Sequence, residues 1–223
     1  MRISMAVAGI ALAMGLAGCS AEVSVGGGGS SETPSASASA EQTMPTDAQT
    51  YTSDKYGFSF SYAPPFKQLN DTSWQAQSGA SSADSVAVFD TDGTEVGGQY
   101  RDAFVVNVYE LNATITDENM DDVKSELEQS VIPQLEQSSE DMQISELTPT
   151  TVSGLNGYQA DAQFSVDDTP MTSTMYFLFD GDIEYQLLTQ SATDRWDELA
   201  PAFEAMVNSF SVAPTSAASA SAA

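Results

Sequence analysis

What most constrains this chain is where its apolar residues are absent. From Ser20 to about Thr50 the sequence is dominated by Ser, Ala, Gly, Thr and Pro, with the run Gly26-Gly27-Gly28-Gly29 and the alternation Ser35-Ala36-Ser37-Ala38-Ser39-Ala40. Such a segment has too little apolar surface to offset the entropy of ordering it. A second stretch of this kind, Thr215 to Ala223, closes the sequence. Any core must therefore come from residues 51–213, which suffice for one domain and are too few for two. The glycine run does not read as a phosphate-binding loop, because no strand precedes it, no helix follows it and no lysine lies near.

The residues before this tether have a different pattern. Arg2 supplies a short positive region, Ile3 to Leu16 is apolar apart from Ser4 and two glycines, and the small residues Ala17 and Gly18 precede Cys19, the only cysteine. This is the layout of a secretory signal, too short to span a membrane. The ending Leu16-Ala17-Gly18-Cys19 reads as a bacterial lipobox. Residues 1–18 are then a signal peptide, and Cys19 carries a diacylglycerol through a thioether, which only a cysteine can form. Two or three acyl chains, palmitate among them, hold a membrane more firmly than one myristoyl chain. Residues 19–50 form the linker, with a typical span of about 30 Å and a stretched limit of about 100 Å. The expected location is the extracytoplasmic face of a cell membrane, with the domain standing off it. Residues 214–223 are a disordered tail.

Charge and missing residue types exclude several functions. The net charge is −26, and of 6 basic residues only Arg2 falls before residue 50, so Lys55, Lys67, Arg101, Lys124 and Arg195 are all that the folded part contains. Phosphate backbones and anionic headgroups would be repelled, so no nucleic-acid partner is expected. The absence of histidine removes the usual general base and every Ser-His-Asp arrangement. Loss of the only thiol to a lipid leaves no disulfide, thiolate nucleophile or zinc site. Paired carboxylates remain: Asp121-Asp122, Asp167-Asp168 and Asp180-Gly181-Asp182, each of which a turn or a solvated helix face explains. Asp90-Thr91-Asp92-Gly93-Thr94-Glu95 offers oxygen ligands around a glycine turn, making Asp90, Asp92 and Glu95 weak calcium candidates. The run lacks the fifth-position acid and twelfth-position glutamate of an EF-hand, so a loop turn is the better reading. No enzyme, resident metal or cofactor is expected.

The folded part reads as strands interrupted by two helices. Tyr56, Phe58, Phe60 and Tyr62 alternate with small or polar residues up to Pro64-Pro65, predicting a half-buried strand. Val86–Phe89 and Ala103–Leu111 are further strands. Met120, Val123, Leu127, Val131 and Leu135 then recur at helical spacing behind a Thr116 or Asp117 cap, with Pro133 kinking or ending the helix. Ile144–Val152 and Tyr158–Val166 are expected to form a hairpin through Gly154-Leu155-Asn156-Gly157, with Asn156-Gly157 as the turn signal. Met171–Phe179 and Ile183–Thr189 form another across Asp180-Gly181, apolar enough to be central strands. Trp196, Leu199, Phe203, Met206, Val207 and Phe210 make one helical face, with Pro201 a kink or the first turn of a second piece. The expected class is α+β: a central antiparallel sheet flanked by helices.

As an ordered set, Tyr56-Gly57-Phe58-Ser59-Phe60-Ser61-Tyr62-Ala63-Pro64, Gly154-x-x-Gly157 before a strand, and Ser191 to Phe210 with its closing Asn208-Ser209-Phe210 resemble the PsbP-like family across residues 51–213. That superfamily includes the extrinsic photosystem II subunit, a nuclear-import factor that binds a small GTPase, and many bacterial lipoproteins. The resemblance implies an α/β/α sandwich acting as a binding or accessory protein. Metal handling in the photosynthetic members rests partly on histidines, which this chain lacks, so that role does not carry over.

Three functional expectations follow. The leading one is a non-enzymatic, lipid-anchored envelope domain with a protein partner. The second is a binder of an envelope glycolipid, glycan or peptide lying between sheet and helices, for which Trp74 and Trp196 are candidate stacking surfaces. The third is a calcium-stabilised or weakly hydrolytic domain using Asp90, Asp92 and Glu95.

Overall fold

A computed structural model describes residues 44–69, 82–138 and 141–213. Cys19 and Trp74 lie outside these residues, as does the glycine run. The aromatic alternation near residue 58 forms strand β2 (Phe58–Tyr62), whose Phe58, Phe60 and Tyr62 point inward. It begins two residues later than Tyr56 because Ser53–Gly57 closes a turn: Ser53 N donates to Phe58 O (2.8 Å), and Gly57 sits at φ +66°. Before this turn runs β1 (Gln49–Thr52), antiparallel to β2, so ordered structure starts inside the stretch assigned to the linker. On the other side of β2 lies β12 (Ser211–Val212). This three-stranded sheet, in the order β1-β2-β12, fastens the two ends of the domain together.

The main sheet is antiparallel and contains β3 (Phe66–Gln68), β4 (Asp84–Asp90), β7 (Ala103–Ile115), β8 (Gln143–Ile144), β9 (Thr148–Val152), β10 (Leu155–Val166) and β11 (Thr169–Ala192). Its order is β3-β4-β7-β11-β10-β8, with β9 also on β10. A two-residue ribbon, β5 (Glu95–Val96) with β6 (Gln99–Tyr100), stands apart. The 24 residues of β11 cannot run straight. The hydroxyls of Thr172 and Thr193 lie 3.0 Å apart, and Thr189 Oγ1 donates to Thr174 O (3.4 Å), whereas residues that far apart on a straight strand would be separated by about 50 Å or more. The segment doubles back at Asp180–Gly181, where Gly181 has φ +63°. Its first arm pairs with β10 and its second with β7, so both expected central strands are central.

The turn before β10 differs from expectation. Asn156 and Gly157 lie within β10, opposite Thr151 and Thr150. The reversal is made by Ser153 (φ 52°) and Gly154 (φ 83°), the two positive φ values a two-residue hairpin requires. Gly157 is needed for a different reason: a Cβ there would collide with the carbonyl of Phe177 on the neighbouring arm. Asp167 (φ 46°) and Asp168 (φ 65°) make the corresponding turn between β10 and β11, so this acidic pair is a hairpin corner.

Helices cover both faces of the sheet. On one, a 3₁₀ turn at Asp117–Asn119 leads into α1 (Met120–Glu126), a π-turn at Leu127–Val131 and α2 (Ile132–Gln137). Val123, Leu127, Val131 and Leu135 pack there on alternate residues of β10 and the first arm of β11. Pro133 does not end the helix. It falls in the first turn of α2, directly after the π-turn, where the wider backbone ring accommodates the missing N–H. On the opposite face α3 (Trp196–Ser209) buries Leu199, Phe203, Met206 and Val207 against β2, β7 and the second arm of β11. Pro201 is inside α3 on its exposed side, so the carbonyl of Asp197 that loses its partner faces solvent. The architecture is the expected α+β layering with an antiparallel sheet between helices.

Candidate functional site

Strand alternation sorts β7 into two sets. Phe104, Val106 and Val108 face α3, so Ala103, Val105, Asn107 and Tyr109 face the other side. On the second arm of β11, Tyr185 and Leu187 face α3, which turns Glu184, Gln186, Leu188 and Gln190 the other way. The pairing sets Tyr109 opposite Glu184 and Asn107 opposite Gln186, with Ser85 of β4 beside Asn107. A polar row thus crosses three adjacent strands in the middle of the sheet. It is buried: Glu184 and Tyr109 are each 5 % exposed, Gln186 and Asn107 each 7 %.

Part of the row satisfies itself. Gln186 Nε2 donates to Glu184 Oε1 (2.7 Å), and the Ser85 hydroxyl donates to Asn107 Oδ1. Gln186 Oε1 and the Tyr109 hydroxyl have no partner among the described residues. Buried polar atoms without partners are uncommon, because each forfeits its hydration without return. Burial pushes the Glu184 carboxyl up to about 7, against a smaller opposing effect of the Gln186 hydrogen bond. The Tyr109 phenol is raised too, by burial first and then by the neighbouring Glu184 charge. The arrangement presents oxygen acceptors around an ionisable carboxyl in a place sheltered from water.

The calcium candidates are placed otherwise. Asp90 is 1 % exposed, and its Oδ2 lies 2.9 Å from Arg195 Nη1, while its Oδ1 accepts from Asp92 N (3.0 Å). Asp102, fully buried, binds the same guanidinium and also accepts from Thr94 N (2.7 Å) and Ala192 N (3.0 Å). Burial opposes the Arg195 charge, but the hydrogen bond that the guanidinium donates to Asp90 and the Asp102 carboxylate raise its pKa above the ordinary value. Asp92 instead faces Lys67 across 3.7 Å at the surface, and Glu95 is exposed on β5. The three candidates do not converge, and the cation that Asp90 holds is a side chain of the same protein. Gly93 is required at this turn because a Cβ would run into Arg195, Asp102 and Asp90. Among the described residues no group of three or more acidic, cysteine or histidine side chains could hold a metal ion.

Trp196 is half-buried at the start of α3, its ring 5.6 Å from Phe203, and packs with the core. A surface groove of about 320 Å³ lies between Asp117, Met120, Thr150, Asn156 and Tyr158. Its polar groups are engaged with one another: Asn156 Nδ2 donates to Asp117 Oδ1 (2.9 Å) and the Tyr158 hydroxyl to Met120 O (2.9 Å).

Neither the polar row nor the Arg195 cluster was anticipated. For the row a signal existed: a strand central enough to be covered on both faces should not carry Glu184 and Gln186 two residues apart on one of them. For the cluster there was none, since Asp90, Asp102 and Arg195 meet only through the packing of α3 on the sheet.

No family model matches the sequence, and no curated protein is significantly similar to it. Solved structures are similar in fold. Cyanobacterial PsbP (CyanoP) from Synechocystis sp. PCC 6803 superimposes with a TM-score of 0.51 at 19% identity, covering 79% of this chain and 98% of that one. LpqN of Mycobacterium tuberculosis superimposes with a TM-score of 0.52 at 14% identity, covering 75% of this chain and 92% of that one. With its antiparallel sheet, its helices on both faces and these neighbours, this chain has a PsbP-like fold.

Proposed function

We propose that this protein is a lipid-anchored, extracytoplasmic binding or accessory domain of the cell envelope and works without catalysing a reaction. The observation that carries the reading is Leu16-Ala17-Gly18-Cys19 at the end of a short apolar leader, followed by a linker long enough to hold the domain off a membrane. Three further observations support it. No helix among the described residues is long and apolar enough to cross a membrane. The sequence has no histidine, and its one cysteine is the residue the anchor would consume. A protein of similar fold, LpqN, is involved in cell envelope biogenesis in its own organism. Anchoring is tested by fractionating cells that express the wild type or Cys19→Ala. The wild type should sediment with membranes and the variant should be recovered in the soluble or secreted fraction. A Cys19→Ala protein that stays with the membrane would remove the basis of the reading.

A second reading, a small-molecule binder, is favoured by the buried polar row. Two unpartnered polar atoms beside a lone carboxyl leave hydrogen-bonding capacity that a ligand could use. Trp196 is committed to packing and does not serve as its stacking surface.

A further inference from the structure

The basic residues of the folded part are all engaged away from the polar row. Arg195 binds Asp90 and Asp102, Lys67 faces Asp92, Lys55 faces Glu110 and Lys124 faces Glu128. Arg101 is buried at the β5–β6 ribbon, where its Nη2 donates to Val96 O (3.3 Å) and the Asp167 charge acts on it. Glu184 is therefore a buried carboxyl with no cation against it among the described residues. An uncompensated buried charge is strongly unfavourable, and a cation that also donates hydrogen bonds corrects it most effectively.

The neighbouring atoms narrow the class of that cation. Among the described residues Gln186 Oε1 and the Tyr109 oxygen are without a partner, and the Glu184 carboxyl is bonded to the first side chain and paired in register with the second. Three oxygens of this kind match the three N–H donors of a primary ammonium. A neutral polyol would leave the carboxyl uncompensated. A quaternary ammonium has no N–H to give, and the row has no stack of aromatic faces to receive it.

We propose that the row Tyr109, Glu184 and Gln186 is a binding site for a primary ammonium group, carried either by a small free amine or by an amine-bearing lipid headgroup. The inference deepens the small-molecule reading and does not depend on the lipid anchor. Its test is calorimetric titration of the full mature chain in detergent micelles at pH 8. The probes are ethanolamine, micelles doped with phosphatidylethanolamine, choline, potassium ion and glucose.

The expected result is saturable binding of ethanolamine or of the doped micelles, the better of the two identifying the source. Choline, potassium and glucose should bind at least about tenfold more weakly, and Glu184→Gln should abolish the heat while keeping the same circular dichroism and a cooperative melt. Tyr109→Phe, which removes one oxygen and little volume, should weaken binding about tenfold. Absence of saturable binding of either amine, equal binding of choline or potassium, or undiminished binding to folded Glu184→Gln would each overturn the site. Glucose binding in place of the amines would overturn the ligand class. None of these outcomes bears on whether Cys19→Ala leaves the membrane, so failure of this site and failure of the anchor are separable.

Discussion

Two buried acidic arrangements in this protein differ in one respect, and that difference decides what each does. Asp90 and Asp102 share a guanidinium and accept several backbone N–H bonds, so their charges are compensated. Removing Arg195 leaves two buried carboxylates facing each other, and Arg195→Ala should cost about 3 kcal/mol in urea unfolding. Glu184 has no such partner among the described residues. Its carboxyl is raised to about 7 from an ordinary value of 4.5, so the folded protein holds a proton that the unfolded chain has released between those values. Stability from this group is complete below about pH 4.5 and is lost as pH rises through about 7. Glu184→Gln removes the dependence. The variant should match the wild type near pH 4.5 and exceed it by a few kcal/mol at pH 8, measured by urea unfolding at both pH values. A wild type that gains stability on Glu184's account as pH rises would refute the buried, uncompensated carboxyl.

At the scale of the elements, local pattern was a good guide to strands and helices and a poor guide to their joins. The alternation at Phe58, Phe60 and Tyr62 and the four-residue spacing of Val123, Leu127, Val131 and Leu135 each report a buried face directly, because burial follows side-chain period. Joins depend on which residues adopt positive φ, and there Asn156-Gly157 was the misleading signal. The turn uses Ser153-Gly154, and Gly157 is kept by crowding from Phe177 on the next arm, a contact between residues far apart in sequence. The two roles make opposite predictions. As a strand residue under a close backbone, Gly157 should tolerate no side chain, and Gly157→Ala should cost about 3 kcal/mol in thermal or urea unfolding. A turn glycine would lose only about 1 kcal/mol on the same substitution. Pro133 and Pro201 show a similar limit: each sits inside a helix that continues, one beside a π-turn and the other facing solvent.

For the whole molecule, the order of strands and helices was enough to indicate a PsbP-like sandwich, although β1 starts inside the stretch assigned to the linker. The fold was legible because it rests on periodicity and sequence order. The candidate site was not, because Glu184 and Gln186 lie far from Asn107 and Tyr109 in sequence and the four become one row only through the register of neighbouring strands. Function lives in such placements of side chains, not in the fold that hosts them. The net charge of −26 disfavours docking of the chain on anionic lipid.

The measurement that bears most directly on the central claim is the mass of the N-terminal peptide of the mature protein purified from membranes. The account predicts a chain that starts at Cys19 and carries a diacylglycerol on its sulfur, and the lipid mass should vanish in Cys19→Ala. A mature chain that retains residues 1–18, or one that begins at Cys19 with a bare thiol, would contradict it.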